Sequence, residues 1–451
     1  MNSSIRIKLS IMMFLQFFIW GSWFATLGVC LATNNLSAII GDAYGSAPIA
    51  AIIAPLFLGL VADRFLNSEK AMGLLHLVGG VLLFAAPGLI AQGQGPTLVW
   101  LFIGYMLCYM PTLGLSNTVA FTNIDDQSKF PALRVWGTIG WIVAGLIVGG
   151  LNWSASVNIF RLAAVSSIAL GIMSFFLPAT PPPGRGQPVN IKALLMFDAF
   201  KMLGKPAFFV FILCSTLICI PLAYYYAFTS NFLSHIGFQA PASTMTLGQI
   251  SEIFFMFLVP FFFRRLGVKW MIVIGMLAWV ARYALFAYGA PQQVVWMILM
   301  GVILHGICYD FFFVTGFIYT DKQARPEARG QAQSMLVFFT QGVGMFFGFR
   351  IAGEKFGQTM TQADALTQAI PAAQPFTFWE SFGKMFAVDR FTAPGTLLQD
   401  TMAQWKEFWI FPCLMAAGIT VLFFVAFWDR SGDENKVTTS KEGEATATKV
   451  H

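Results

Sequence analysis

Along this chain, apolar stretches of bilayer-crossing length alternate about a dozen times with short polar connections. A spanning helix needs about 20 mostly apolar residues. Stretches of that kind lie near residues 8–32, 37–62, 70–92, 97–120, 131–151, 156–178, 206–234, 243–263, 268–289, 294–319, 330–353 and 406–428. The pattern predicts an all-α membrane protein with twelve transmembrane helices. Composition agrees: 57% of the 451 residues are hydrophobic and 11% are charged, where a water-facing domain carries about 25% charged residues. A Pro- and Gly-rich connection at 179–205 separates two six-helix halves, 1–178 and 206–430. Within it, Ile191 to Phe200 has helical spacing and reads as a cytoplasmic linker helix lying on the membrane. The eleventh connection, 354–405, is long, and its aromatic-rich segment Phe376 to Phe391 is expected in the outer interface. The polar tail 431–451 is expected to be disordered.

Basic residues set the orientation. The N-terminus and the even-numbered connections hold Arg6, Lys8, Arg64, Lys70, Lys129, Arg185, Lys192, Lys201, Lys205, Arg264, Arg265, Lys269, Lys322, Arg325 and Arg329. The odd connections near 33–36, 93–96, 152–155, 235–242 and 290–293 hold none. Only the eleventh breaks the rule, with Lys355, Lys384, Arg390 and Lys406. By the positive-inside rule both termini are cytoplasmic, in a multi-pass protein of the bacterial inner membrane. The net charge of +6 is this bias and implies no nucleic acid. The apolar run that follows Arg6 and Lys8 extends to Thr33, longer than a signal core of roughly 7–15 residues, so it reads as a retained span. All six cysteines fall in predicted spans and read as packing residues.

A charge inside a span costs roughly 2.5–3.5 kcal/mol on translocon scales and is retained for function or pairing. Asp42, Arg161 and Arg350 fall near span ends, where their side chains reach the interface. Arg134 is close to the inner end of span five. Glu252, Arg282 and Asp310 sit deeper, and Arg282 is expected to neutralise one of the acids. Helical spacing groups the polar residues on faces. Arg134, Thr138 and Trp141 form one stripe, Gln249 and Glu252 another, Gln16, Trp20 and Trp23 a third, and His305, Tyr309 and Asp310 cluster in span ten. Rings, amides and acids around one cavity suit a flat, neutral solute with hydrogen-bonding edges. The alternative is that the aromatics simply pack between helices.

These residues carry a resemblance. Gly59-Leu-Val-Ala-Asp63-Arg64-Phe65 resembles the signature loop of the major facilitator superfamily, in which the Gly, Asp and Arg form an inner gate. FLQFFIWGSWFATLG from Phe14, YMPTLGLSNT from Tyr109, RVWGTIGW from Arg134, QISE from Gln249, RYALFAYG from Arg282 and YDFFF from Tyr309 together resemble the nucleoside:proton symporter family of that superfamily. The resemblance implies substrate-binding roles for Arg134, Thr138, Trp141, Gln249, Glu252 and Tyr309. Gln16 and Tyr226 are added to that set as further candidates. It also implies proton coupling through Asp310, with Glu252 second, no cofactor beyond the proton, and a monomer in membrane lipid. Where the family pattern has amides on span seven, this chain reads Ala223-Tyr224-Tyr225-Tyr226.

The expected function is secondary active import of nucleosides by proton symport through alternating access. A proton-coupled carrier of a sugar or nucleobase is the alternative within transport, and a polytopic enzyme or a sensor lies outside it. The four histidines, at 76, 235, 305 and 451, show no metal spacing. No phosphate-cradling Gly-Lys-Ser/Thr loop appears, which argues against an ATP-driven pump.

Overall fold

The computed structural model describes residues 3–58, 65–125, 129–182, 195–371 and 376–428. Ten of its helices are long and apolar enough to cross a membrane. One of them, Pro241–Gly289, turns at Gly267, whose φ of 67° lies in the left-handed region that favours glycine, so it supplies spans eight and nine. With the shorter apolar helix Asn158–Ser174 as span six, twelve spans result. The others are Ser3–Thr33, Ser37–Leu56, Ser68–Ala91, Gly95–Asn123 and Phe130–Gly150 in the first half. Pro206–Ile236, Val295–Gln323, Arg329–Thr359 and Leu397–Ala426 follow in the second.

Several spans are interrupted where they pass the centre of the molecule. Span one breaks into Ser3–Gly21, a 3₁₀ turn Phe24–Thr26 and Leu27–Thr33. Spans ten and eleven each contain a π-helical stretch, Asp310–Val314 and Phe338–Gly344. Such wide turns shift side-chain register and are frequent at functional sites.

Within the first half, span one packs on spans five and six, and span three on spans four and six. Within the second, span seven packs on eleven and twelve, and spans eight and nine on ten and twelve. The halves meet where span two faces eleven, span five faces eight, and span one faces seven. On the face that bears the odd-numbered connections this seam is tight. A Cβ on Gly41 would lie 2.7 Å from the Phe349 carbonyl oxygen and 3.0 Å from the Cα of Gly353, so only glycine allows the backbones this close.

The eleventh connection is shorter as irregular chain than the sequence suggests. Span eleven continues to Thr359 and span twelve starts at Leu397, so both helices run on into the polar sequence on either side of the connection. Between them lie Ala363–Ala369 and Phe378–Lys384. This segment straps the two halves together on the odd face. Ser37 donates to Asp364 at 2.5 Å, Gln368 donates to the Thr33 carbonyl at 3.2 Å, and the Phe376 amide donates to Gly150 at 3.0 Å. On the other half, the Asp389 amide donates to Gly237 at 2.9 Å and the Thr244 hydroxyl to Met385 at 2.9 Å. Trp379 is exposed and stacks on Phe382.

The gate residues Gly59, Asp63 and Arg64 lie outside the described residues, as do the tail 431–451 and the linker residues 183–194. The described part of the linker forms short turns of helix at Phe197–Phe200 and Lys201–Gly204. Asp42 and Arg161 are exposed near their helix ends, and Arg350 pairs with Glu354 at 3.4 Å on an exposed face.

Candidate functional site

A cavity of about 240 Å³ sits between the halves at the level of the helix breaks. Its walls come from both halves, and spans one and eleven, which help to line it, are the ones interrupted by a 3₁₀ turn and a π-helical stretch. Arg134, Thr138 and Trp141 project from span five, as their spacing of four and three requires for one face. Gln249 and Glu252 face them from span eight, and Tyr226, His305 and Tyr309 close the second-half side. Arg134 and Glu252 line the same cavity from opposite halves, and among the ion pairs of the described residues the two are not joined. The Arg134 guanidinium lies over the Phe17 ring, 3.9 Å from its centroid, a cation–π contact that holds it against the first half. The Oε1 of Gln249 is buried with no hydrogen-bond partner among the described residues, which leaves it available to a solute.

Aromatic rings form a continuous path around the cavity. Trp141 contacts Trp20 at 5.6 Å, Trp20 contacts Phe24 at 5.4 Å, and Phe24 reaches Tyr226 of the other half at 6.2 Å. His305 then contacts Tyr226 at 6.0 Å and Tyr309 at 5.8 Å. On the odd-face side the Tyr44 hydroxyl donates to the Phe24 carbonyl at 2.7 Å, and the Tyr44 ring stacks on Phe349 across the seam at 5.3 Å. These contacts roof the cavity.

Seven of the expected substrate-binding residues thus line one cavity, and Gln16 does not. Its amide is fully buried one layer behind, donating to Thr112 at 2.7 Å and sitting 3.0 Å from His76 Nε2. Tyr109 donates to the Gln16 carbonyl and lies 5.7 Å from Trp20. Gln16 therefore supports the wall rather than forming it. Asp310 also stands behind the wall: it is fully buried in the π-helical stretch, and neither carboxylate oxygen has a hydrogen-bond partner among the described residues.

The deep arginine departs from expectation. Among the described residues Arg282 pairs with no acid: it donates from Nε to the Gly301 carbonyl at 3.0 Å and from an Nη to His305 Nδ1 at 3.2 Å. Gln341 of span eleven, outside the polar stripes that helical spacing picks out, also lines the cavity. An amide inside an apolar span was the available signal, and a search for charges alone misses it. Phe17, Phe24, Met345 and Phe349 line it too, but apolar residues in apolar helices carry no signal in one sequence.

Comparison with known proteins agrees with this architecture. A family model described as Nucleoside H+ symporter matches residues 1–432. YegT, an Escherichia coli (strain K12) protein named for nucleoside transport, is 37% identical over 446 residues, covering 96% of each chain. Xanthosine permease of the same organism is 29% identical over 444 residues, covering 94% of this chain and 96% of that one. The crystal structure of the nucleoside transporter NupG superposes with a TM-score of 0.75 at 28% identity, covering 94% of this chain and 99% of that one. A twelve-span carrier of the major facilitator fold, with its cavity between the halves, this chain belongs to the nucleoside:proton symporter family.

Proposed function

We propose that this protein imports nucleosides together with protons across the bacterial inner membrane, with both termini cytoplasmic. The observation that carries the reading is the cavity in which Arg134 and Thr138 of one half face Gln249 and Glu252 of the other inside a path of aromatic rings. A nucleoside has a flat base for the rings and a polar base edge and ribose hydroxyls for the amide, carboxylate and guanidinium. A sugar alone would offer the rings only its C–H faces and no flat base, and a nucleobase alone would leave part of the polar wall unmatched.

Both carboxylates have a place in coupling. An unpaired carboxylate enclosed in a low dielectric is costly when ionised, so a proton taken up by Asp310 lowers the cost of keeping it buried while the halves close around solute. Glu252 is the second proton site, because it meets the solute and feels Arg134 directly. The halves then rock about the cavity to expose it on the other face. With the odd-numbered connections outside, the tight seam and the strap of the eleventh connection seal the cavity from the exterior. One proton moving down 100 mV supplies about 2.3 kcal/mol, enough for roughly 50-fold accumulation. The protein works as a monomer in membrane lipid, and the proton is the only coupling ion.

Proteoliposomes carrying the wild-type protein, given labelled uridine or adenosine and an inward proton gradient, test this directly. Gradient-driven uptake that Asp310→Asn abolishes is the expected result. Uptake unaffected by collapse of the gradient would overturn the coupling, and no uptake of either nucleoside would overturn the substrate class.

A further inference from the structure

Arg282 is fully buried in span nine and remains charged at any accessible pH. Its partners are a backbone carbonyl, an imidazole nitrogen and an aromatic face. Nε donates to Gly301, an Nη meets His305 Nδ1 at 3.2 Å, and the guanidinium carbon lies 4.0 Å from the centroid of the Tyr225 ring. A guanidinium has only donors. The His305 nitrogen facing it must therefore offer a lone pair, which puts the ring's single proton on Nε2. Adding a second proton would set N–H against N–H at 3.2 Å, beside a permanent cation.

The rest of the ring is held with equal firmness. Tyr225 stacks on it at 5.2 Å with 15° between planes, so this tyrosine covers both members of the Arg282–His305 pair. Tyr226 meets the ring edge-on, Tyr309 lies tilted against it, and its Cβ packs over Gly248. With Nδ1 taken and the faces covered, the ring edge left for the cavity it lines is the one carrying Nε2.

We propose that Arg282 is a positioning residue that locks His305 in the neutral Nε2–H tautomer, making it a fixed hydrogen-bond donor to an acceptor oxygen or nitrogen of the solute. The neighbouring Glu252 carboxylate and Gln249 Oε1 of span eight can accept hydrogen bonds from hydroxyls and amino groups, whereas an N–H donor selects for a carbonyl or imine edge. The tyrosines that this chain carries on span seven, Tyr225 and Tyr226, are then part of the clamp on this donor. The solute side of the proposal rests on the nucleoside reading above; the tautomer lock does not.

The full-length protein labelled with ¹⁵N-histidine and studied by long-range ¹H–¹⁵N correlation reports the tautomer without any ligand. His305 has three other histidines for company, so His305→Gln identifies its signal. A neutral Nε2–H pattern in the wild type that becomes mixed or shifts to another form in Arg282→Met is expected. An Nδ1–H pattern in the wild type, or an identical pattern in Arg282→Met, overturns the lock. For the donor role, uridine binding by calorimetry should weaken roughly three- to tenfold in His305→Phe and stay within about threefold in His305→Gln, whose amide donor replaces Nε2–H. The double variant Arg282→Met, His305→Phe should bind no more weakly than His305→Phe alone, because Arg282 acts through the ring. Equal binding by His305→Phe and the wild type overturns the donor role. A wild-type protein that binds neither uridine nor adenosine while showing the Nε2–H pattern overturns the nucleoside reading and the donor role with it, and leaves the lock standing.

Discussion

Substituting Gly28 by alanine separates two effects that are usually confounded. Gly28 is the second residue of the helix Leu27–Thr33; alanine in a helix is more favourable than glycine by at most about 0.5–1 kcal/mol, and that term is the same whether the halves are closed or open on the odd face. The second effect acts only in the closed arrangement. A Cβ at Gly28 would stand 2.5 Å from the Ala227 carbonyl oxygen and 2.8 Å from Asn231 Oδ1 across the seam. The nearer atom belongs to the backbone of span seven and cannot swing away as a side-chain tip can. Overpacking of this kind costs about 1–3 kcal/mol, so the ratio of closed to open arrangements should fall roughly 5- to 150-fold. Spin labels at Gln92 and Gln292, exposed ends of the third and ninth connections on opposite halves, report the separation by double electron–electron resonance in a cysteine-free background. The distance distribution should shift toward longer values in Gly28→Ala. An unchanged distribution in a folded protein would show that the seam at Gly28 does not hold the odd face closed.

Other consequences follow from the same geometry. Trp141→Ala removes a ring from the cavity wall and from its contact with Trp20, and should weaken nucleoside binding about tenfold by calorimetry. Arg134→Lys keeps the charge but loses the planar fork stacked on Phe17, so uptake should fall at least about tenfold; near-wild-type uptake would mean that charge alone suffices. Gln16→Leu leaves Thr112 and His76 without their amide partner and should cost about 1–3 kcal/mol, read as a lower Tm in detergent. Because Gln16 stands behind the wall, the Kd for nucleoside should stay within about threefold; a larger change would place its amide in direct contact with solute.

The number of spans, the family and most of the cavity's polar residues were legible in the chain itself. Bilayer-crossing apolar runs are a one-dimensional property, and a charge or amide inside one is costly enough to stand out, as Arg134, Glu252 and Asp310 do. Helical periodicity then shows which of them share a face, as with Arg134, Thr138 and Trp141. Tertiary structure decided what periodicity cannot, namely which faces meet and at what depth. It set Gln16 and Asp310 one layer behind the wall and brought Gln341 and Phe349 into it. It also paired Arg282 with an imidazole instead of a carboxylate. Partners of that kind, 23 residues apart in sequence and on different spans, depend on how helices cross, and no local pattern in the sequence records a crossing.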